Sequence, residues 1–475
     1  MSNIHVNFNE IIGKVKPLHA GGQPPFLGID FSYTDYLEKA GVPYSRLHDV
    51  GGLFGGNRFV DIPNIFRDFD ADETDPESYD FAFTDILLSE LVKRGVKPYY
   101  RLGVTIENFS YIKAYRIFPP KDYAKWARVC EHIIRHYNEG WANGFYYDIE
   151  YWEIWNEPDA TPRLHRNAMW RGSAEDFYRL YDVTAKHLKA CFGDKIKVGG
   201  YGATSFGVCF FHPEEYGIDK PAKEIDDEYF YQKELYRMNF ARDFFAYAKE
   251  HNSPLDFFSW HSYEDIETTL IFDRILYTMM QEYGFSEAER HLNEWNTAFG
   301  CDKHGTSFAS ASTAAMMCAM QHSHTDIMCF YDMRLMASSF GCLFSPLKFK
   351  PVCTYYSFFA FNKLYKLGDL TRCEIQGDNL YALAATNGKY RAVMISNHKT
   401  ICPTDIVIPD DGCEQLPDGA KDVQLSVEGC DGLTVYIIDR DNLFTKTNFK
   451  PKSFTLKSNQ VAFLTDLPES ELGLT

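Results

Sequence analysis

The stretch Tyr151-Trp152-Glu153-Ile154-Trp155-Asn156-Glu157-Pro158 decides how the rest of the chain is read. Bulky and β-branched residues favour an extended strand, and Pro158 ends the ladder because it lacks a backbone donor. Asn156 and Glu157 therefore stand at a strand terminus beside aromatic residues. A second strand of similar design ends downstream in His291-Leu292-Asn293-Glu294-Trp295-Asn296. Two carboxylates on two strand ends are the minimum equipment for cleaving a glycosidic bond.

Outward from these strands, residues 40–367 alternate between strand-like and helical patterns, which predicts a parallel sheet of βα units. Candidate strands are 44–50, 97–103, 151–156, 195–200, 255–261, 290–294 and 327–331. A weaker one at 17–21 begins with a proline tolerable only at a strand's first position. Between them, Trp126, Val129, Cys130, Ile133, Ile134 and Tyr137 recur on one face of a helix. Ser173 and Asp176 are spaced as a capping box ahead of another. Seven or eight such units suit a (β/α)8 TIM barrel over residues 15–367. A doubly wound sheet is the alternative, but the chain carries no Gly-rich phosphate loop after any strand. Beyond residue 368, short runs at 380–384, 391–396, 405–408, 433–438 and 460–464 are separated by Asn-Gly, Asp-Gly and Pro-rich turns. They predict a smaller C-terminal antiparallel β-sandwich, 368–475, joined by a strand from the N-terminal segment 1–14.

Composition narrows the partners. The chain has 475 residues and a formal net charge of −18, a field that repels phosphate backbones and anionic lipid headgroups. Nucleic acid and membrane partners are therefore not expected, whereas a homo-oligomer is left open. The N-terminus lacks a basic region followed by an apolar one, so the protein is expected in the cytoplasm. Its 12 cysteines are scattered without a C-x-x-C pair, which fits reduced core residues rather than zinc or redox spacing. No cofactor or metal is expected; His322 and His324 lack a matching third ligand.

In a barrel, residues at the C-terminal strand ends face the pocket. Glu157 is the candidate general acid/base, with a pKa expected to be raised by Trp155 and by the second carboxylate. Glu294 is the candidate nucleophile and should accept hydrogen bonds; Arg46 and Tyr263 are candidate donors. His48 and His261, at strand ends on the same rim, are expected to bond sugar hydroxyls. Glu153 shares Glu157's side of the strand but lies deeper, so a structural role is expected, with Arg101 as the candidate partner. Asp332 and Arg334 either orient substrate or form an ion pair. The long polar loop 204–228 is either a lid or a surface excursion.

These motifs carry a family likeness. Trp155-Asn156-Glu157-Pro158 resembles the acid/base strand of the clan A retaining glycosidases, which are (β/α)8 barrels. Arg46-Leu47-His48, Lys197-Val198-Gly199-Gly200, Trp260-His261-Ser262-Tyr263 and Glu294-Trp295-Asn296, with Phe359-Ala360-Phe361-Asn362-Lys363-Leu364, are similar to glycoside hydrolase family 39. That is the family of β-xylosidases and α-L-iduronidases. The resemblance implies acid/base Glu157, nucleophile Glu294, a 2-hydroxyl contact from Asn156, and sugar or nucleophile contacts from His48, His261 and Tyr263. Trp295 joins the expected substrate-binding set. The chain departs from the xylosidase pattern at Tyr331-Asp332-Met333-Arg334, where a tryptophan platform is usual, so an acidic sugar facing Arg334 enters as an alternative. The expected activity is a retaining exo-glycosidase acting on short β-xylosides. The alternatives are another specificity (β-glucoside, β-galactoside, arabinoside or iduronide) and a non-catalytic sugar-binding protein.

Overall fold

Strand β1 (Ser2–Lys14) leads into eight parallel strands that close on themselves. These are β2 (Ala20–Gly22), β3 (Tyr44–Leu47), β4 (Lys97–Leu102), β5 (Tyr151–Ile154), β6 (Lys197–Ala203), β7 (Phe257–Ser262), β8 (Glu289–Trp295) and β9 (Ile327–Phe330). They pair in chain order, and β9 returns to β2, which completes a (β/α)8 barrel. The computed structural model describes residues 2–26, 33–50, 60–105, 117–298, 300, 303–335, 339–345, 348–400 and 419–473. The expected run 405–408 lies outside them.

The helices follow from local sequence. Tyr123–Glu139 buries Trp126, Val129, Cys130, Ile133, Ile134 and Tyr137 against the barrel. Asp122 caps it by accepting from the Lys125 amide, and Gly140 ends it in the left-handed region that glycine adopts freely. The capping box at Ser173 forms as expected: the Ser173 hydroxyl accepts from the Asp176 amide, and Asp176 accepts in return from the Ser173 amide. Loop 204–228 contains two short 3₁₀ turns, Gly207–Phe210 and Pro213–Tyr216, and residues 219–228 are exposed.

The barrel interior is graded. At the N-terminal end Ala20, Tyr99, Tyr151, Phe257, Ile327 and Cys329 form a closed apolar plug. Two residues further along the same strands, the period-2 rule delivers Glu153 and Ser259, and another two deliver His261. The middle and upper interior are thus polar, which a barrel core tolerates only where the groups are paired.

The remaining strands are β10 (Asp369–Gln376), β11 (Leu380–Thr386), β12 (Arg391–Asn397), β13 (Val423–Glu428), β14 (Thr434–Ile438), β15 (Leu443–Lys446), β16 (Phe454–Leu456) and β17 (Gln460–Thr465). With β1 they make one nine-stranded sheet in the order β15-β14-β17-β12-β11-β10-β1-β13-β16. Every pairing is antiparallel except β1 with β13. The sheet curls until its two wings meet. Val435 and Ile437 share a core with Leu425, Val427 and Leu456, closed by Ile4 and Val6, which gives the sandwich. Its opposite face is part of the barrel's own core through Leu383, Met394 and Phe463, so the two units share one apolar interface.

Candidate active site

Two backbone irregularities aim the acidic side chains. Just beyond β5, Trp155 and Glu157 adopt φ of 74° and 46°, a left-handed conformation costing on the order of 1–3 kcal/mol for a non-glycine residue. The twist turns the Trp155 ring outward against Trp170, with its indole N–H donating to the Met169 carbonyl at 2.9 Å. Asn156 and Glu157 are thereby directed to the rim. On β8 the register slips: Leu292 pairs with Trp260, but Glu294 pairs with the next residue, His261. This bulge lets consecutive Asn293 and Glu294 both face inward, a common device for re-aiming side chains beside active sites. Gly202, at φ 67°, passes so close that a Cβ there would lie 2.8 Å from His261 Nε2 and 3.1 Å from Asn156 Oδ1.

Arg46 is the hub. Its Nε donates to Glu153 at 2.7 Å, Nη1 to Glu294 at 2.6 Å and Nη2 to Asn156 Oδ1 at 2.6 Å. The Tyr263 hydroxyl donates to the other Glu294 oxygen at 2.6 Å. The second Glu153 oxygen accepts from Ser259 (2.7 Å) and Asn293 (2.6 Å). His261 Nδ1 lies 2.7 Å from Glu157 and 3.7 Å from Glu294. A carboxylate oxygen of Glu157, one of Glu294 and a His261 ring nitrogen all fall within 4.8 Å of one another. Of the two glutamates Glu157 is the more open, its side chain 21% exposed against 6% for Glu294.

Burial pushes the Glu157 pKa up, but the His261 hydrogen bond, aided by the charges of His261, Arg237 and Arg46, brings it below the usual carboxylate value. His261 moves the opposite way: burial opposes its charge, and Glu294 and Glu157 raise its pKa overall. Burial drives His48 far below the ordinary imidazole value, with Arg101 and Arg46 adding to the effect, so it is neutral. Asp159, two residues beyond Glu157, is pushed up to about 7 by burial.

Several expectations need correction. Trp155 does not wall Glu157, and the Glu157 pKa in the free protein moves down rather than up, because His261 supplies a donor that the sequence did not reveal. Trp295 follows the inward Glu294 and so points outward, packing on Phe330 at 5.2 Å in the core; it is no sugar platform. His261 is fully buried and its Nδ1 is engaged by Glu157, so it stands behind the glutamates rather than toward a sugar hydroxyl. Glu153 pairs with Arg46, whereas Arg101 bonds Asp61 at 2.7 Å. Asp332 and Arg334 form an ion pair, Nε and Nη2 both donating to Asp332 Oδ2. His48 stands at the rim with Nε2 3.3 Å from Asp49 and 3.9 Å from Glu294. The sequence reading missed Asp49, Tyr331 and Gln23: Gln23 donates to the Tyr331 hydroxyl, which donates to Asp49 at 2.9 Å. Asp49 directly follows His48, the one signal that could have found it.

Donor spacing alone would allow a metal at Glu157–His261–Glu294, as it would at Glu131–His187–Cys191 or His212–Glu214–Glu215. At the first of these the Arg46 guanidinium and the Tyr263 hydroxyl already occupy the Glu294 oxygens, which suits acid–base chemistry.

A closed parallel barrel with two glutamates converging at its C-terminal rim defines the (β/α)8 glycoside hydrolases. The sequence model of Glycosyl hydrolases family 39 matches residues 38–457, and the chain belongs to that family. A beta-xylosidase from Geobacillus stearothermophilus is 22% identical over 306 residues, 58% of this chain and 51% of that protein. The chain thus matches about half the length of that relative. Among solved structures, a glucosidase from Croceicoccus marinus superposes with a TM-score of 0.73 at 21% identity, over 98% of each chain. A monomeric beta-xylosidase from Caulobacter crescentus CB15 gives 0.66 at 14% identity, over 98% of this chain and 99% of that one. At such identities the likeness is one of fold.

Proposed function

We propose that the protein is a retaining exo-glycosidase, with short β-xylosides as its substrates and Glu157 and Glu294 as its catalytic pair. The observation that carries the reading is that one oxygen of Glu157 and one of Glu294 lie within 4.8 Å of each other, both beside His261 Nδ1, which supports the closer of the two spacings. Retaining enzymes hold the pair about 5–5.5 Å apart, whereas inverting ones need roughly 6.5–9.5 Å to admit water. In this reading Glu294 attacks the anomeric carbon while the proton shared between His261 Nδ1 and Glu157, 2.7 Å apart, passes through Glu157 to the departing oxygen. Glu157 then takes a proton from water, which cleaves the glycosyl ester and releases the sugar with its configuration kept. The geometry supports these roles: Glu294 accepts from Arg46 and Tyr263, while Glu157 is more open and shares a hydrogen bond with His261. When Glu294 becomes an ester its charge vanishes, and Glu157 is then favoured as an anion, which is the form a base requires.

A neutral sugar is favoured over a uronic acid because Arg334 is already matched by Asp332. His48, Asn156, Tyr263 and Asp49 are proposed to meet the sugar hydroxyls. Xyloside preference rests on the beta-xylosidase relative and the family. Action in the cytoplasm belongs to the same proposal, tested by cell fractionation. The deciding experiment is an aryl-glycoside panel on the wild type and Glu157→Ala, with azide. The xyloside should be preferred, and the variant should recover activity with azide as a β-glycosyl azide. Full activity in both Glu157→Ala and Glu294→Ala would sink the assignment, and sugar binding without turnover would favour a binding protein.

A further inference from the structure

The catalytic reading above leaves a third buried carboxylate, Glu153, without a task. We propose that Glu153 is a positioning residue which acts on the nucleophile through Arg46 and keeps that guanidinium charge-balanced in the covalent intermediate; this rests on Glu294 being the nucleophile. Arg46 is 1% exposed and Glu153 fully buried, so neither charge is neutralised by solvent. Arg46 lies between the two carboxylates, at 2.7 Å from Glu153 and 2.6 Å from Glu294. Glu153 is fixed from its other side by Ser259 and Asn293, an arrangement with no purpose at a site needing only an apolar filler.

The charge bookkeeping gives Glu153 its role. In the resting site one guanidinium serves two carboxylates. As Glu294 forms its ester that charge disappears, and Arg46 keeps Glu153 as a neutral pair. Without Glu153, Arg46 would face the ester as an uncompensated buried cation, which low-dielectric surroundings penalise. It would also stabilise ionised Glu294 more strongly than the wild-type site does. Forming the ester would therefore be slower, and cleaving it, which returns the carboxylate, would be faster.

The other groups facing the cluster do not blur this balance. Burial keeps Tyr99 on β4, Tyr263 beyond β7 and Cys329 on β9 protonated, and His48 beyond β3 neutral. The charged groups are then Arg46, Glu153, Glu294 and the Glu157–His261 pair, with Asp49 and the Arg101–Asp61 pair around them, which the substitution leaves unchanged. Burial works against the Glu153 charge, but Arg46 outweighs it and leaves the pKa below the usual value.

The test is Glu153→Gln. The new amide replaces the oxygen that accepts from Ser259 and Asn293, and it gains an acceptor when the Asn293 amide turns to present Oδ1, which is buried without a hydrogen-bond partner. The acid limb of the kcat/KM profile should move down by about 1–2 pH units, the scale for unit charges roughly 6 Å apart at an effective dielectric near 20. On an aryl glycoside with an activated leaving group, kcat/KM should fall about 10–100-fold while kcat, set by ester cleavage, holds or rises. Glu153→Asp, which keeps the charge, should leave the limb in place, and so should Ser259→Ala. If kcat and kcat/KM fall together with the limb unmoved, Glu153 is merely structural. If Glu153→Gln fails to fold, a displaced limb in Glu153→Asp overturns the proposal and an unmoved one supports it. A wild type that turns over no glycoside, and whose Glu294 escapes a 2-fluoroglycosyl probe, fails at the underlying catalytic reading instead.

Discussion

Tyr263→Phe isolates one bond to the proposed nucleophile. The phenol donates to Glu294 Oε2 at 2.6 Å, while Arg46 holds Oε1 at the same distance. Removing the hydroxyl keeps the ring, which packs on Phe340 at 5.1 Å and edge-on to Tyr331 at 6.3 Å. A hydrogen bond to an ionised group contributes about 1.5–3 kcal/mol, and the ionised form alone enjoys it here. At 1.36 kcal/mol per pH unit, its loss should move the acid limb of kcat/KM upward by about 1–2 units. The plateau is less diagnostic, since a freer carboxylate slows attack while a more basic one speeds it. The assay is a kcat/KM profile from about pH 3 to 9 on an aryl xyloside, with an active-site titration to count competent sites. A limb within about 0.3 unit of the wild type, in a variant still labelled at Glu294, would refute the claim that the phenol supports the nucleophile's charge.

Other outcomes follow from burial. Asp159, at about 7 when folded against 3.8 as an ordinary carboxylate, keeps a proton that the unfolded chain has lost. Its contribution to stability is therefore lost as pH rises from about 4 to 7, by up to about 4 kcal/mol for roughly 3 units, so urea midpoints of Asp159→Asn should climb more steeply with pH across that window than those of the wild type. His19 and His398 are both pushed down to about 4 by burial, against 6.5. Their contribution is present above pH 6.5 and lost as pH falls toward 4, so urea midpoints should drop over that range, and drop less in a variant replacing either histidine. Trp295→Ala should cost about 3–5 kcal/mol of stability, as for a core tryptophan. Trp295→Phe should leave KM nearly unchanged, and a large rise in KM would restore the tryptophan to the sugar site.

The sequence exposed what depends on period and punctuation. Each barrel strand could be located to within a few residues, because the apolar runs alternate with helices that carry their own caps, such as Ser173 with Asp176. Facing was harder to read. Strands of a parallel barrel are buried on both sides, so polarity does not mark inside from outside. Trp155 and Trp295 were therefore open to misplacement. Their orientation is set by a left-handed residue just beyond β5 and a bulge on β8, and neither shows in composition. Partner choice was hidden for a related reason. Arg101 lies directly beside Glu153 in register, one strand nearer than Arg46, yet Asp61 engages it and Glu153 is left to Arg46.

Tyr263 and Glu153 bear on one carboxylate with opposite sign, and this says more than either alone. The phenol lowers the energy of ionised Glu294 directly, whereas Glu153 raises it by drawing on the same guanidinium. A nucleophile held only by donors would be ionised but sluggish; one without donors would take up a proton. A midway setting needs a restraining negative charge as well as donors, placed where water cannot screen it. The graded barrel interior supplies that place, a polar layer directly above an apolar plug. Combining Tyr263→Phe with Glu153→Gln should bring the acid limb back toward its wild-type position if the two act through separate oxygens of Glu294. A double variant whose limb stays with either single variant would mean that one of them never reached Glu294.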